Sequence, residues 1–345
     1  MRIGDADGGK GKNWLRKLDF TVNNIVVAYL VKRNAIVSRY KEINLNKIKT
    51  YPIDQRYSKV NKNAFAQKGK VPVSDFLNCL PDILAAKDIK ELIATCKEAK
   101  QNHKPIIIGL GGHTIKCGLA PLLIEVMEAG FVSAFVCNGS VAIHDYEIAC
   151  FGKTSEDVSA ALSDGSFGMA EETAKGINTA INKGFEEGLG LGEAIGKELD
   201  NIAKNKELSL LASAYQFGIP VCVQVAIGTD IIHQSPYANG KAIGDCSMRD
   251  FRIFAEKVSK LNEGGVFLNL GSAVIVPEVF LKALTVARNI YGKVQDFTTA
   301  VFDFNMHYRA KVNVVQRPIE NGGKGYYFIG HNEIMVALLL KAILE

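Results

Sequence analysis

The sequence predicts an α/β fold: a doubly wound, mostly parallel sheet flanked by helices. Short apolar, β-branched runs, the mark of strands buried on both faces, alternate with helical stretches of a dozen or more residues. Right-handed crossovers then prune the possible topologies to a handful. A further regularity concerns function. Five of the six histidines (His113, His144, His233, His307 and His331) stand at or just past the end of an apolar run, mostly beside Gly, Asn or Asp. In open α/β sheets ligands gather outside the carboxyl ends of the strands, so the five are expected to line one crevice. Ordinary loop polarity explains any one of them better than it explains all five.

Each element has a local reason. Residues 1–17, rich in Gly, Lys and Asp, read as a disordered tail, and residues 18–72, with little periodicity, as an arm or small subdomain. Residues 73–345 read as the α/β nucleotide-binding catalytic domain. FLNCLPDILAAKDIKELIATCKEAK is helical apart from its Pro, and PIII follows as a strand. GLAPLLIEVMEAG is a helix closed by Gly130, and AFVC is the next strand. Thr154 to Asp157 form a capping box before a short helix. MAEETAKGINTAINKGFEE and KELDNIAKNKELSLLASAYQFG continue helically, the second ending at Gly218, and VCVQVAI is a strand. Gly188-Leu-Gly190-Leu-Gly192, between helical segments, reads as a flexible joint and not as a phosphate loop. Ser247 to Asp250 cap FRIFAEKVSKLNEGG, GGVFLNL is a strand, and Pro277 suits the first turn of the helix that follows. FTTAVFDF is a strand, and NEIMVALLLKAILE is a final apolar helix.

Composition narrows the function classes. At 345 residues, 48% apolar and 22% charged, the chain can bury a sizeable core. The net charge of +5 comes from dispersed lysines without a basic, aromatic-interleaved stripe, so no nucleic-acid partner is expected. The apolar stretch FTVNNIVVAYLV is too short and too Asn-broken to span a bilayer, so no membrane partner is expected either. Seven cysteines, never paired as C-x-x-C, suit buried reduced thiols in a cytoplasmic protein.

The loops supply the candidate chemistry. In Gly109-Leu-Gly111-Gly112-His113-Thr114 the glycines, Gly111 and Gly112 above all, let backbone N–H groups approach a phosphate. Thr114 stands where a dinucleotide fingerprint has its third Gly, and a tight strand-to-helix turn explains the loop about as well. Asn138-Gly139-Ser140 leads to His144-Asp145 and Glu147, where a carboxylate could fix an imidazole tautomer, or the acids could simply favour a helix start. The loop from Ser163 to Glu172 reads either as a helix entry or as a flap over the crevice. Asp230 and His233 follow a strongly apolar strand, and semi-burial there suits acid/base work. Asp303, His307, Arg309, His331 and Glu333 close the set. No metal ligand is assigned: H-x-x-x-H and H-E-x-x-H are missing, although His233, His307 and His331 could converge.

Two stretches carry a family resemblance. The segment from His113 through Cys117-Gly118 and Asn138-Gly139-Ser140 to His144-Asp145, and the segment Leu270-Gly271-Ser272-Ala273-Val274-Ile275, resemble the deoxyhypusine synthase family from roughly Gly109 to the C-terminus. The resemblance implies a sirtuin-like NAD-binding fold, NAD as cofactor, and homotetramers with sites at subunit contacts. It places Gly112, His113, Asn138, Gly139, Ser140, Gly271, Ser272, Asp303 and His331 around NAD. The chain departs from that family elsewhere. The loop from His307 to Pro318 is short where the family carries its imine-forming Lys after a Trp, and the only Trp here is Trp14. Val276-Pro277 replaces a Lys-His pair, His144 stands at an acidic position, and Ile227 to Asp230 is a reduced Asp-Gly-Ser-Leu-Gly-Asp run. Neither Lys311 nor Lys324 has the family's context, and an imine on Lys needs a Lys.

The expectation is therefore an NAD-binding enzyme of this branch that acts on an amine or another small polar substrate and does not make deoxyhypusine. His144 and Asp145, or Asp230 with His233, would serve as acid/base groups, while His307, Arg309 and Glu333 line the substrate end. The alternatives are a non-catalytic nucleotide-binding or assembly protein, and a metal-assisted hydrolase.

Overall fold

Six strands form one sheet in the computed structural model, which describes residues 75–345. The tail and the arm, residues 1–17 and 18–72, lie outside the described residues. The strands are β1 (Ile106–Leu110), β2 (Ala134–Asn138), β3 (Val221–Gln224), β4 (Val266–Leu270), β5 (Phe297–Asp303) and β6 (Gly323–Ile329). Their order is β3-β2-β1-β4-β5-β6 and every neighbouring pair is parallel. The chain winds outward from β1 to β3, then crosses to β4 and winds the other way. This is the doubly wound order, with its topological switch between β1 and β4.

The main helices are α1 (Leu84–Gln101), α2 (Gly112–Lys116), α3 (Ala120–Glu128), α4 (Gly139–Phe151), α5 (Val158–Asp164) and α6 (Glu171–Glu187). They continue with α7 (Leu191–Ile202), α8 (Leu210–Phe217), α9 (Gly240–Ser259), α10 (Ile275–Tyr291) and α11 (Asn332–Leu344). Strand alternation assigns side chains to two cores. Ile106, Ile108 and Leu110 pack with Leu92 of α1, Leu123 of α3, Val141 of α4 and Leu339 of α11. Ile107 points the other way and packs with Phe254 of α9 and Phe280 of α10. In that second core the Phe267 and Phe280 rings stack with centroids 3.9 Å apart. No helix among the described residues is long and apolar enough to cross a membrane.

Helix ends follow the expected glycines at Gly130 and Gly218, both at positive φ, and Pro277 sits in the first turn of α10. Three local expectations are corrected. Ser247 and Asp250 lie inside α9, which is capped at Asn239, whose side chain accepts from Lys241 and Ala242 N–H. Thr154 is no cap either, since α5 begins at Val158 and the Thr154 hydroxyl is committed elsewhere. The helical run after Lys197 breaks between α7 and α8 because Asn205 turns back on α4. Its side-chain and backbone N–H groups donate to Ile148 O and Ala149 O. The joint at Gly188 to Gly192 is a tight helix–helix turn: a Cβ at Gly190 would lie 1.9 Å from Asp250 Oδ1, and one at Gly192 1.7 Å from Val221 O.

Candidate functional site

All five histidines predicted to line a crevice lie beyond the carboxyl ends of strands, whereas His103 ends α1 at the opposite edge. They fall into smaller sets, each with its own partners.

The first set joins β1 to β2. Helices α2 and α4 start directly after these strands, and their first turns touch: a Cβ on Gly112 would lie 2.4 Å from Ser140 Oγ and 3.4 Å from His144 Cδ2. At the switch point a Cβ on Gly111 would lie 2.0 Å from Gly271 O, while Gly111 N–H donates to Leu270 O. Both glycines are thus required by loop-to-loop approach, whether or not a ligand is bound. Gly271 itself needs a left-handed φ of +73 and lies against Thr114 and Asn332. Ser140 donates to Asn138 Oδ1 at 2.9 Å.

His144, half-buried on the first turns of α4, heads a relay. Thr154 donates its single hydroxyl proton to Glu147 Oε2 at 2.5 Å, and Thr173 donates to Glu147 Oε1 at 3.0 Å. Thr154 Oγ1, 2.7 Å from His144 Nδ1, must then accept from that nitrogen. The proton of a neutral ring is accordingly on Nδ1 and the Nε2 lone pair is free. Burial, seconded by Lys116, lowers the imidazole's pKa and keeps it a neutral base. A pocket of about 520 Å³ adjoins this relay and is lined by Glu147, Thr154 and Thr173 among others. The sequence places Glu147 in one segment with His144, as a carboxylate that could fix a tautomer or favour a helix start, but reads Thr154 only as a cap and gives no link from it to His144.

Asp230 and His233 form the second set, on a short turn (Ile231–Gln234) after β3. They make a reciprocal capping box. Gly228 and Asp230 N–H groups both donate to His233 Nδ1, which puts the neutral ring's proton on Nε2. That Nε2 and Asp230 Oδ2 are buried, have no hydrogen-bond partner, and stand 3.9 Å apart. Burial raises the Asp230 carboxyl's pKa, with His233 opposing. The carboxyl also lies against the start of α4, where a Cβ on Gly139 would be 2.1 Å from Oδ2. The loop expected to be a helix entry or a flap packs on this turn: Gln234 donates to Phe167 O, and a Cβ at Gly168 would strike Ile231.

The remaining residues gather beyond β5, β6 and α2. His113 on α2 and Cys117, which caps its end one turn later, approach Glu333 on α11, and His331 Nδ1 is 3.8 Å from Glu333 Oε1. The His113 ring faces Phe304 at 6.1 Å. His307 Nε2 is 3.5 Å from Asp303 Oδ1, which also accepts from Asn305 N–H. The trio His233, His307 and His331 does not gather as a ligand set among the described residues.

Three expected site residues have other duties. Asp145, fully buried, accepts from Ser209 Oγ, Leu210 N–H and Leu211 N–H, so it anchors the start of α8 and is not the partner of His144. Its neighbour in sequence points elsewhere because adjacent residues on a helix diverge. Ser272 Oγ accepts from Val276 N–H and shapes the entry to α10. Arg309, exposed, pairs with Glu278 at 3.2 Å. All seven cysteines are free, but Cys79, Cys117 and Cys150 are only partly buried.

No family model matches the chain, and no curated protein matches it. Among solved structures, ArgZ, an arginine dihydrolase from the ornithine–ammonia cycle in cyanobacteria, is 14% identical over 76% of this chain and 33% of its own, with a TM-score of 0.49. A ternary complex of AgrE with ornithine and NAD+ is 14% identical over 74% of this chain and 32% of its own, with a TM-score of 0.46. A protein assigned as a deoxyhypusine synthase from Entamoeba histolytica is 11% identical over 86% of this chain and 96% of its own, with a TM-score of 0.48. The chain spans about a third of the length of ArgZ and AgrE.

Proposed function

We propose that the chain is an NAD-dependent enzyme acting on an amine or another small polar substrate at the carboxyl edge of its sheet. The observation that carries this reading is the Asp230–His233 pair, buried and unpartnered beside the start of α4. A buried donor and acceptor left open cost about 1–3 kcal/mol each, a cost that a bound polar group removes. Asn332, at the switch point, likewise leaves both amide atoms unpartnered, and Asn269 leaves Oδ1.

The residues fit a dinucleotide's phosphates. The first turns of α2 and α4, side by side after β1 and β2, present N–H groups from Gly112, His113, Gly139 and Ser140, and Asn332 adds an open amide at Gly271. No acid ends β2 to read a ribose: Asn138 stands there, with its Oδ1 engaged by Ser140. When bound, NAD supplies the hydride acceptor. His144 Nε2 takes the proton released from the substrate's N–H or O–H. Its Nδ1–H and the Thr154 hydroxyl direct the resulting positive charge toward Glu147. The His233 Nε2–H and the Asp230 carboxyl hold the substrate's polar group. A base and two orienting groups suffice for such redox chemistry, so the missing imine Lys is no obstacle.

The test is NADH absorbance from the purified full chain with NAD and a panel of amines, alongside calorimetric NAD titration. His144→Ala is expected to lower turnover by about a hundredfold or more while NAD affinity holds. Gly112→Leu is expected to abolish NAD binding by driving a side chain into Ser140 and His144. Binding without turnover on any amine would make the chain a nucleotide-binding module, and absence of binding would sink the cofactor assignment.

A further inference from the structure

The ligand set that converges in this fold is not the one suggested by the sequence. His113 on α2 and Cys117, the residue that caps its end and donates its N–H to His113 O, are one helical turn apart, which puts their side chains on one face. Glu333, in the first turn of α11, reaches the same point. One ligating atom from each lies within 4.8 Å of the other two. Cys117 Sγ is 3.7 Å from Glu333 Oε2, and His331 Nδ1 is 3.8 Å from the other oxygen of that carboxylate. The four come from segments far apart in the chain, brought together because β1 and β6 deliver α2 and α11 to the same edge.

We propose that His113, Cys117 and Glu333 form a zinc-type divalent metal site, with the fourth position open to His331 or water. The donor set selects the class of ion. One sulfur, one imidazole nitrogen and one carboxylate suit zinc, whereas magnesium and calcium take oxygen ligands. The atoms are somewhat wider apart than bound ligands would be, and exposed His113 and Glu333 have the rotamer freedom to close on an ion. Cys117 is the least exposed of the three and sets the geometry. Burial and the nearby Glu333 carboxylate raise its thiol pKa, so in the metal-free chain it is a thiol, and binding displaces its proton. Bound metal would tie the loop after β1 to the amino end of α11, across the switch point where Thr114, Gly271 and Asn332 meet. The site goes beyond the dinucleotide reading and is independent of it.

The experiment is anaerobic titration of the reduced, metal-free full chain with Co²⁺ and then Zn²⁺, read by absorbance and calorimetry. One equivalent of Co²⁺ is expected to give a thiolate-to-metal charge-transfer band and the visible bands of a tetrahedral ion, both bleached by Zn²⁺. Cys117→Ser is expected to abolish the charge-transfer band. His113→Ala and Glu333→Gln should each weaken Zn²⁺ binding by at least about tenfold, the range seen even for outer-shell losses. Cys150→Ser, at a partly buried thiol outside the cluster, should change nothing. A charge-transfer band that survives Cys117→Ser, or absence of stoichiometric binding, overturns the proposal. These readouts need neither NAD nor turnover, so failure here leaves the dinucleotide reading standing, and the reverse holds too.

Discussion

At the scale of single residues, proton positions set the chemistry. His144 and His233 are locked in opposite tautomers: Thr154 fixes His144 with Nε2 bare, and two backbone N–H groups fix His233 with Nε2 protonated. Thr154→Val removes the acceptor from His144 Nδ1 and severs Glu147 from the ring. A fall in kcat of roughly tenfold or more, with KM little changed, is expected, because the lost hydrogen bond strengthens as the ring gains charge. Activity retained in Thr154→Val but lost in Thr154→Ser would show that the methyl, not the hydroxyl, matters. Asp145 and Asp250 make a second residue-scale prediction. Each accepts backbone N–H bonds at a helix start, and burial still raises the carboxyl, to about 6 for Asp145 and about 7 for Asp250. Between the unfolded carboxylate range near pH 4 and these folded values, the native chain holds more protons than the unfolded one. Their contribution to stability therefore declines as pH rises through about 4 to 7, the reverse of a salt-bridged aspartate. Denaturant titrations of Asp250→Asn across that window should show a flatter pH slope than wild type. An unchanged slope would mean that Asp250 ionises in the native state at its ordinary pKa.

At the scale of elements, the glycines separate into those that hold the site together and those that merely fill turns. Gly111→Ala places a Cβ 2.0 Å from Gly271 O, a backbone atom that cannot swing away, so the loops after β1 and β4 must part. A loss of about 1–3 kcal/mol is expected by chemical denaturation. Gly240, in the first turn of α9 with open space around its missing side chain, is the contrast. Gly240→Ala should gain about 0.4–1 kcal/mol by restricting the unfolded chain. Indistinguishable effects of the two would refute the close-approach account. This contrast also shows what could be read without coordinates. Strand runs such as PIII and VFLNL, and the closing glycines at 130 and 218, are local signals and appear where expected. That β1 and β4 are neighbours, and hence that Gly111 needs to be glycine because of Gly271, depends on bringing together positions 160 residues apart, with β2 and β3 between them in the chain. Ser247 and Asp250 looked like a cap for the same reason: a capping pattern is local, whereas their real partners, Val223 and Gly192, are tertiary.

At the scale of the whole molecule, five histidines at strand ends were legible because the carboxyl edge of a doubly wound sheet is one place in space. Their partition was not, because side-chain partners such as Thr154 for His144 or Glu333 for Cys117 come from loops and helices that the strand pattern leaves unplaced. The resemblance to deoxyhypusine synthases adds an expectation at this same scale, a homotetramer with sites at subunit contacts, and ligand linkage can test it together with the cofactor. A ligand bound by the native state alone stabilises it by about 2.7 kcal/mol at a hundred times its Kd. For a domain of this size that corresponds to a rise in Tm of about 5 °C. NAD should produce such a shift, and ADP-ribose most of it, since the α2 and α4 starts would grip the diphosphate. If the sites lie at subunit contacts, the shift must also grow with protein concentration across any range where light scattering reports dissociation of an oligomer. A shift independent of protein concentration, with scattering at one chain mass, would place the whole site within a single subunit, and then His144, Asp230 and His233 must complete it unaided.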